Sequence, residues 1–251
     1  MCLVAIAWKA DPDFPLLISA NRDEVFQRPT MPLHQWDSGI MAGKDLQGGG
    51  TWMGFHQNGK WALLTNYRDF SQKRNPKISR GKLVSEFLES DLSPENYLNR
   101  IWEERNQYDG FNLLVSDGDR LFYASNYSES PVEVSPGIHG LSNGLLNDPW
   151  PKTELAKMQL STLMAEKLNI EQLLQTLKST DTYPPEILPK TGAPLPLEIG
   201  LSAQLIRIKP DYGTVSSTAV LRSKNGFTQL SERTFDWDYR SFKDQKINFQ
   251  P

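Results

Sequence analysis

The chain contains one cysteine, Cys2, in its second position. Removal of Met1, which a small second residue permits, would leave a thiol and a free α-amine on one residue. An α-amine with a pKa of about 8 can act as the base for its own nucleophile. A peptide-bonded amine cannot, so this chemistry requires processing of Met1. The alternative interpretation is that Cys2 is a small hydrophobic residue buried in an apolar strand.

A polar tetrapeptide, Asn21-Arg22-Asp23-Glu24, follows the apolar run 14–20. The run predicts a buried strand whose polar continuation leaves the core. An earlier apolar run, Cys2 to Trp8, is separated from it by the turn-forming sequence Asp11-Pro12-Asp13. We therefore predict an antiparallel hairpin, in which the start of the first strand lies beside the end of the second.

This hairpin would place the Cys2 thiol near Arg22 and Asp23. The arginine would favour a thiolate, and the carboxylate could orient either the thiol or the amine. The alternative for the tetrapeptide is a solvated turn, in which an exposed Arg22-Glu24 pair contributes little stability.

Two further strand ends deliver an asparagine. The runs 51–56 and 60–65 flank Asn58-Gly59, a strong hairpin signal, and the second run leads into Asn66. A short strand at 138–142 leads into Asn143. If these ends converge near Cys2, both side chains are candidate oxyanion donors or orienting groups.

Other stretches predict loops and helices. Residues 26–50 are irregular and end in three glycines. A basic stretch around 73–80 leads into helical spacing after Gly81, so Arg80 and the helix N-terminus would face an anion. A solvated basic loop is the alternative. The proline-rich residues 183–196 predict an ordered flap or a wrapping loop.

Further helices are predicted after the N-caps Ser93 and Thr153. The runs 111–116 and 121–125, separated by Asp117-Gly118-Asp119, predict another hairpin, and strands at 204–208, 215–222 and 227–230 are predicted to close the chain. Trp237 and Tyr239 would pack the tail down.

The complete pattern has at least seven strands, arriving mostly as hairpins, and two groups of helices. Hairpin-connected strands favour antiparallel sheets over a doubly wound parallel sheet. We predict an α+β fold in which two mainly antiparallel sheets are sandwiched between helical layers. Residues 1–251 form one domain in this interpretation.

Composition excludes several classes of protein. The net charge of -3 disfavours non-specific nucleic-acid binding, and one cysteine precludes an internal disulfide. The apolar start is too short for a signal peptide, and no run approaches the roughly twenty apolar residues of a membrane span. We expect a soluble cytoplasmic protein. The histidines lack metal-ligand spacing, and only His34 is a candidate axial ligand.

Motifs spread along the chain resemble those of the NRDE family, also called the transport and Golgi organisation family. They are Met1-Cys2, Asn21-Arg22-Asp23-Glu24, Arg28-Pro29, Ala42-Gly43-Lys44-Asp45, Gly49-Gly50-Thr51-Trp52, Leu64-Thr65-Asn66-Tyr67-Arg68, Ser79-Arg80-Gly81, Gly110-Phe111-Asn112, Leu141-Ser142-Asn143, Pro149-Trp150-Pro151-Lys152 and Tyr212-Gly213-Thr214. The set covers residues 1 to about 220 in order.

The resemblance implies an N-terminal-nucleophile hydrolase-like fold, a four-layer αββα sandwich with Cys2 in the nucleophile position. Arg22 and Asp23 would be its first supporting pair. One departure stands out, since Val215 replaces an arginine that often follows Tyr-Gly-Thr in the family. Arg222 is the nearest basic residue after it in the sequence.

The family is also linked to haem trafficking and to acyl-CoA and lipid metabolism. Both kinds of ligand combine an apolar body with anionic groups. The residues that would suit them are cationic and aromatic: Arg22, Arg28, Arg68, Arg80, Lys152, Trp52 and Trp150. Asn21 and Glu24 complete this ligand-binding set, and would also fix their loop through hydrogen bonds to the backbone.

Three functions follow as hypotheses. The first is binding and hand-over of a hydrophobic anionic metabolite, haem first and acyl-CoA or lipid next, with no cofactor required. The second is a Cys2-dependent amidohydrolase or thioesterase. The third is a non-catalytic interaction scaffold, favoured if Trp52 or the proline-rich segment fills the site. The sequence identifies no protein partner.

Overall fold

The protein folds into two antiparallel sheets, as seen in a computed structural model that describes residues 2–72, 78–166, 168–208 and 210–251. The strands are β1 Cys2–Trp8, β2 Leu16–Val25, β3 Thr30–Gln35, β4 Ile40–Asp45, β5 Met53–His56, β6 Trp61–Asn66, β7 Phe111–Ser116, β8 Leu121–Ser125, β9 Val132–Glu133, β10 Gly137–Leu141, β11 Arg207–Ile208, β12 Tyr212–Arg222, β13 Thr228–Asp236 and β14 Ser241–Phe249. The α-helices are α1 Lys82–Glu89, α2 Pro94–Glu104, α3 Pro151–Met164, α4 Ile170–Leu174 and α5 Leu195–Gly200.

The first sheet has the order β10-β1-β2-β12-β13-β14, with β11 paired to β12, and the second runs from β3 to β9 in sequence order. Three hydrophobic cores separate four layers. Val4 and Ile18 of the first sheet pack against Leu63 of the second. The outer face of the second sheet packs on α1 and α2, and that of the first sheet on α3 and α4. The predicted αββα sandwich is confirmed.

The predicted N-terminal hairpin is also present. In it, β1 pairs with β2 so that Cys2 lies opposite Arg22 and Trp8 lies opposite Leu16. The hairpin predicted around Asn58-Gly59 forms between β5 and β6, and Gly59 has the positive φ of 91° that its turn requires.

The polar tetrapeptide is not a loop beyond the strand, because β2 continues through it to Val25. Its partner is β12, which pairs Gly213 with Glu24 and Ser217 with Asn21. Asn21 and Arg22 pair on both sides, with β1 and with β12, whereas Asp23 and Glu24 pair with β12 alone. From the polarity of these residues, we had expected the strand to end before them.

The stretch 26–50 is more regular than predicted, since it contains both β3 and β4. Pro32 lies within β3, although a proline removes a backbone donor from a strand. It is tolerated because β3 is the edge of its sheet, where a missing N–H breaks no ladder on the outer side.

The C-terminal end contains more β-strand than the sequence predicted. The predicted strand 227–230 extends to Asp236, and the tail forms β14, which pairs along its length with β13. Trp237 packs near the turn, where its Nε1 donates to the Thr214 carbonyl at 2.7 Å. Tyr239, predicted to pack the tail down, is instead 82% exposed.

The helices largely follow their predicted positions. Ser93 caps α2 by accepting from the Asn96 N–H, with Pro94 in the first turn. The third helix begins at Pro151 rather than after Thr153, because proline suits the first helical position. The part of the basic stretch at 73–77 lies outside the described residues. In the described ranges, no helix has the length and apolar character needed to cross a membrane.

Candidate functional site

Strand alternation divides the tetrapeptide between two faces of the first sheet. Arg22 follows Ile18 and Ala20 on the face that meets the second sheet, whereas Asn21 and Asp23 belong to the helical face. The cross-strand pairing with Cys2 places the thiol and the guanidinium as direct neighbours on the inner face. The hairpin therefore places Cys2 beside Arg22, as expected from the sequence.

A polar cleft of about 210 Å³ opens where this end of β1 meets the second sheet. Eight of the residues singled out from the sequence line it: Cys2, Arg22, Asp23, Glu24, Arg28, Trp52, Asn66 and Arg80. The remaining walls include Asp45, Thr51 and Ser79.

The charges of the cleft are balanced. Arg28 donates to Asp45 at 2.7 Å and also lies 3.7 Å from Glu24. That hydrogen bond raises the pKa of Arg28. Arg80 donates to the Gly110 carbonyl at 2.8 Å. An anion would therefore compete with carboxylates already in place at Arg28.

Arg22 is the most buried of these three cations, with 8% of its side chain exposed, but its polar contacts are long. Its guanidinium stacks over Trp52 at 4.2 Å from the ring centroid, and its ion pair with Glu24 is long, at 3.8 Å. Its hydrogen bond to the Thr30 hydroxyl is also long, at 3.4 Å. Stacking on an aromatic face leaves the edge of a guanidinium able to bind an oxyanion.

The thiol and the neighbouring carboxyl are both deeply buried. Cys2 is 9% exposed, and burial raises the pKa of its thiol above the ordinary value. Burial also raises the pKa of Asp23, against the opposing charge of Lys152 and a 2.7 Å hydrogen bond donated by Thr214 Oγ1. The resting thiol is thus protonated at neutral pH, and a base is needed to activate it.

Behind the cleft lies a buried charged cluster that the sequence did not reveal. Arg68 pairs with Glu198 of α5 at 2.8 Å and stacks over Trp150 at 4.7 Å. Thr191 donates to the same glutamate. Lys152 is 2% exposed, donates to the Leu201 carbonyl at 2.9 Å, and burial lowers its pKa to about 8. None of these side chains belongs to the described residues that line the cleft.

Two predicted asparagines also lie off the cleft. Asn143 Nδ2 donates to the Asn66 carbonyl at 2.8 Å, so this amide nitrogen supports the strand end. Asn21 Nδ2 donates to the Leu177 and Gln204 carbonyls and joins their segments to β2. Among the residues that the structure describes, Asn66 is the one amide residue that lines the cleft.

The candidate axial ligand His34 lies outside both the cleft and the groove described next. It is on edge strand β3, where its Nδ1 is 2.7 Å from the Pro32 carbonyl. Its ring stacks on Trp36.

A second cavity, an aromatic groove of about 500 Å³, adjoins the cleft and shares Arg22, Arg28 and Trp52 with it. Its other walls come mainly from β13, β14 and the connection between them: Phe26, Thr30, Pro32, Val215, Ser216, Glu232, Thr234, Phe235, Asp236, Trp237, Asp238, Ser241, Phe242, Lys243 and Gln245. Sequence reasoning missed this groove because it ended the strand at Leu230. The available signal was weak, because the alternation of apolar and polar residues does not run through this strand.

Glu232 is a buried carboxyl in the wall of the groove. It is 3% exposed, and its Oε1 accepts from the Leu33 N–H at 2.7 Å. Burial raises its pKa to about 7, against the opposing effects of that hydrogen bond and of Arg22.

The family arginine position also belongs to the groove. Val215 lies at a bulge in the pairing of β12 with β2, between Thr214 and Ser216. Arg222 is at the opposite end of β12, opposite Leu16, and donates to the Gly59 carbonyl at 3.2 Å. It does not take the place of the arginine that Val215 replaces.

An αββα sandwich with a cysteine at the start of an inner strand has the architecture of an N-terminal-nucleophile hydrolase-like protein. A family model described as Transport and Golgi organisation 2 matches residues 1–237. The chain belongs to this family, as the motifs indicated.

Curated relatives match over nearly the whole chain. The Transport and Golgi organization protein 2 homolog of Bos taurus is 34% identical over 260 residues, covering 93% of each chain. The Homo sapiens homolog is 32% identical and covers 97% of this chain and 98% of its own. Among solved structures, an N-acylethanolamine-hydrolyzing acid amidase ortholog of Caenorhabditis elegans has a TM-score of 0.48 and 10% identity, covering 88% of this chain and 92% of that one.

Proposed function

We propose that the protein binds a small metabolite with an apolar body and an anionic group, an acyl-CoA before haem. The observation that carries this proposal is the sharing of Arg22, Arg28 and Trp52 by a polar cleft and a larger aromatic groove. The apolar body would lie in the groove and the anion against Arg22. The groove volume falls within the range of small-molecule sites.

Haem ranked first from the family resemblance, but the geometry favours an acyl compound. His34 lines neither cavity, and burial raises the pKa of the Cys2 thiol, which opposes thiolate ligation of iron. An acyl-CoA needs no axial ligand. Its chain requires apolar walls and its phosphates require a guanidinium.

Calorimetry with palmitoyl-CoA and a Soret titration with haem test the proposal. The Arg22→Met variant should bind palmitoyl-CoA at least tenfold more weakly, because a charge-assisted contact contributes about 1.5–3 kcal/mol. Arg22→Lys is the matched control, since it keeps the charge and should lose less. Absence of both calorimetric heat and a Soret shift in the unmodified protein would overturn the proposal. A Soret shift with haem, without calorimetric heat from palmitoyl-CoA, would show that haem is the preferred ligand of the two.

The groove can be tested separately from the cleft. Phe242→Ser removes an aromatic wall that is 55% exposed, so the fold should tolerate the change. The substitution should weaken the binding of palmitoyl-CoA more than the binding of free CoA. The control Tyr239→Ser alters a more exposed aromatic residue near the same hairpin turn and should leave binding unchanged.

A Cys2-dependent amidohydrolase or thioesterase is the second candidate, favoured by the presence of Cys2 and Asp23 in one cleft. After loss of Met1, which lies outside the described residues, the α-amine would take the thiol proton as sulfur attacks the carbonyl carbon. The proton would pass to the leaving amine or thiol, and water would then release the acid. Intact mass spectrometry with and without iodoacetamide decides, because retained Met1 together with an inert thiol rules this candidate out.

The scaffold hypothesis receives less support. It required Trp52 or the proline-rich segment to fill the site. Trp52 instead forms a wall beside two cavities, and the cleft and groove linings contain no described residue of 183–196.

A further inference from the structure

Glu232 is a buried carboxyl between the groove and the inter-sheet core. Its side chain lines the groove, and the N–H of Leu33 on β3 donates to its Oε1 at 2.7 Å. Gln245, which lies opposite it on β14, carries no charge. On the core side, Glu232 borders a small internal cavity of about 10 Å³ whose other described lining residues are uncharged. The carboxyl therefore meets charged groups only on the side of the groove.

The charges that act on Glu232 can be assigned to the strands around the groove. The charged residues that line the groove with it are Arg22, Arg28, Asp236, Asp238 and Lys243. The lining residues from β3 and β12, which are Thr30, Pro32, Val215 and Ser216, carry no charge. Arg22 favours the ionised carboxylate, but burial outweighs this effect and raises the pKa of Glu232 to about 7. Near neutral pH, a small change around the carboxyl therefore moves a proton.

A bound amphipathic anion would change the surroundings of Glu232 in two ways that act in the same direction. An apolar body in the groove excludes water from the carboxyl, which penalises its ionised form. An anionic group against Arg22 offsets the positive charge that favours ionisation, and it repels an ionised carboxylate in the same cavity. Both effects favour the protonated form of Glu232.

We propose that Glu232 couples ligand binding to proton uptake, so that the groove takes up an amphipathic anion together with a proton that this carboxyl holds. The proton comes from the solvent, and it is released again when the ligand leaves. This inference rests on the proposed function and adds to it a control of affinity by pH. Loading of the site is favoured as pH falls, and release is favoured as pH rises.

The coupling predicts how the affinity for palmitoyl-CoA depends on pH. If binding raises the pKa of Glu232 by about one unit, the affinity should fall about fivefold between pH 6 and pH 8. At pH 7.5, about half a proton should be taken up per ligand bound. Glu232→Gln keeps a similar shape without a titrating proton, so this part of the pH dependence should be lost.

The experiment is calorimetry of the full chain with palmitoyl-CoA in HEPES and in Tris. These buffers lose a proton with different enthalpies, so the difference in binding heat gives the number of protons taken up. Because a phosphate group of the ligand can titrate as well, the quantity to compare is the uptake by the unmodified protein minus that by Glu232→Gln. Glu133→Gln, on β9, is the matched control, since Glu133 lines neither the cleft nor the groove.

The outcomes separate the coupling from the proposed function. Uptake that is lost in Glu232→Gln and kept in Glu133→Gln supports the coupling. Equal uptake by the unmodified protein and Glu232→Gln, or an affinity of the unmodified protein that stays constant between pH 6 and pH 8, overturns it while leaving the binding function intact. If thermal unfolding shows that Glu232→Gln does not fold, Glu232→Leu replaces it, since leucine also lacks a titrating group. Failure of the unmodified protein to bind palmitoyl-CoA at any pH in this range refutes the proposed function itself, and the coupling with it.

Discussion

Glu232→Gln should change how stability depends on pH. The Glu232 pKa is about 7 in the folded protein, against an ordinary value of 4.5, because the carboxyl is buried. The folded state then holds a proton that the unfolded state has released between these two values. Stability therefore falls as pH rises through this window, and the deficit persists above pH 7.

The magnitude follows from the size of the shift. A displacement of about 2.5 pKa units at 1.36 kcal/mol per unit corresponds to about 3 kcal/mol. Glutamine keeps a similar shape without titrating. The unfolding free energy of the unmodified protein minus that of Glu232→Gln should thus fall by about 3 kcal/mol between pH 4 and pH 8.

Urea unfolding at several pH values measures this difference. Glu133→Gln provides a control of opposite sign, since the Arg120 hydrogen bond lowers the pKa of Glu133 and its stabilisation is lost as pH falls. If the difference in unfolding free energy between the unmodified protein and Glu232→Gln changes by less than about 0.5 kcal/mol over this pH range, burial does not raise the pKa of Glu232.

Three further changes test other parts of the structure. Arg68→Met should cost about 3–5 kcal/mol of unfolding free energy, because it leaves Glu198 buried without its cation; a loss below about 1 kcal/mol would contradict the ion pair. Asn21→Ala should destabilise the fold by about 1–3 kcal/mol in chemical denaturation, since two carbonyls lose their donor, and no change would show that water replaces the amide. Cys2 in protein that retains Met1 should react with iodoacetamide at pH 7 more slowly than a free small-molecule thiol, because burial raises its pKa; an equal or faster rate by mass spectrometry would contradict this.

The hairpins and the layer count were accessible from sequence because they depend on local signals. The turns at Asn58-Gly59 and at Asp117-Gly118-Asp119 identify pairs of neighbouring strands. By contrast, β2 pairs with β12 across almost the whole chain, so no local pattern indicates that the tetrapeptide continues as a strand. Pro32 argues against a strand for a related reason, because only the sheet order shows that its strand lies at an edge, where proline is tolerated.

The cleft was predictable in part for the same reason. Cys2 and Arg22 meet through a hairpin, which sequence can indicate. The groove depends on β13 and β14 packing beside β3, and the charged cluster depends on Glu198 reaching Arg68 from a distant helix. Both require long-range packing that spacing does not encode. Arg68, Trp150 and Lys152 were assigned to one ligand-binding set with Arg22 and Trp52, but they lie behind the cleft rather than along it.

The central claim is that the cleft and the groove bind one ligand together. Calorimetry with intact palmitoyl-CoA, with CoA alone and with palmitate alone tests it most directly, because under this claim each fragment makes only one of the two sets of contacts. The account predicts that the intact ligand binds at least a hundredfold more tightly than either fragment, since one molecule then gains both sets of contacts. Binding of CoA alone or of palmitate alone as tightly as the intact ligand would contradict it.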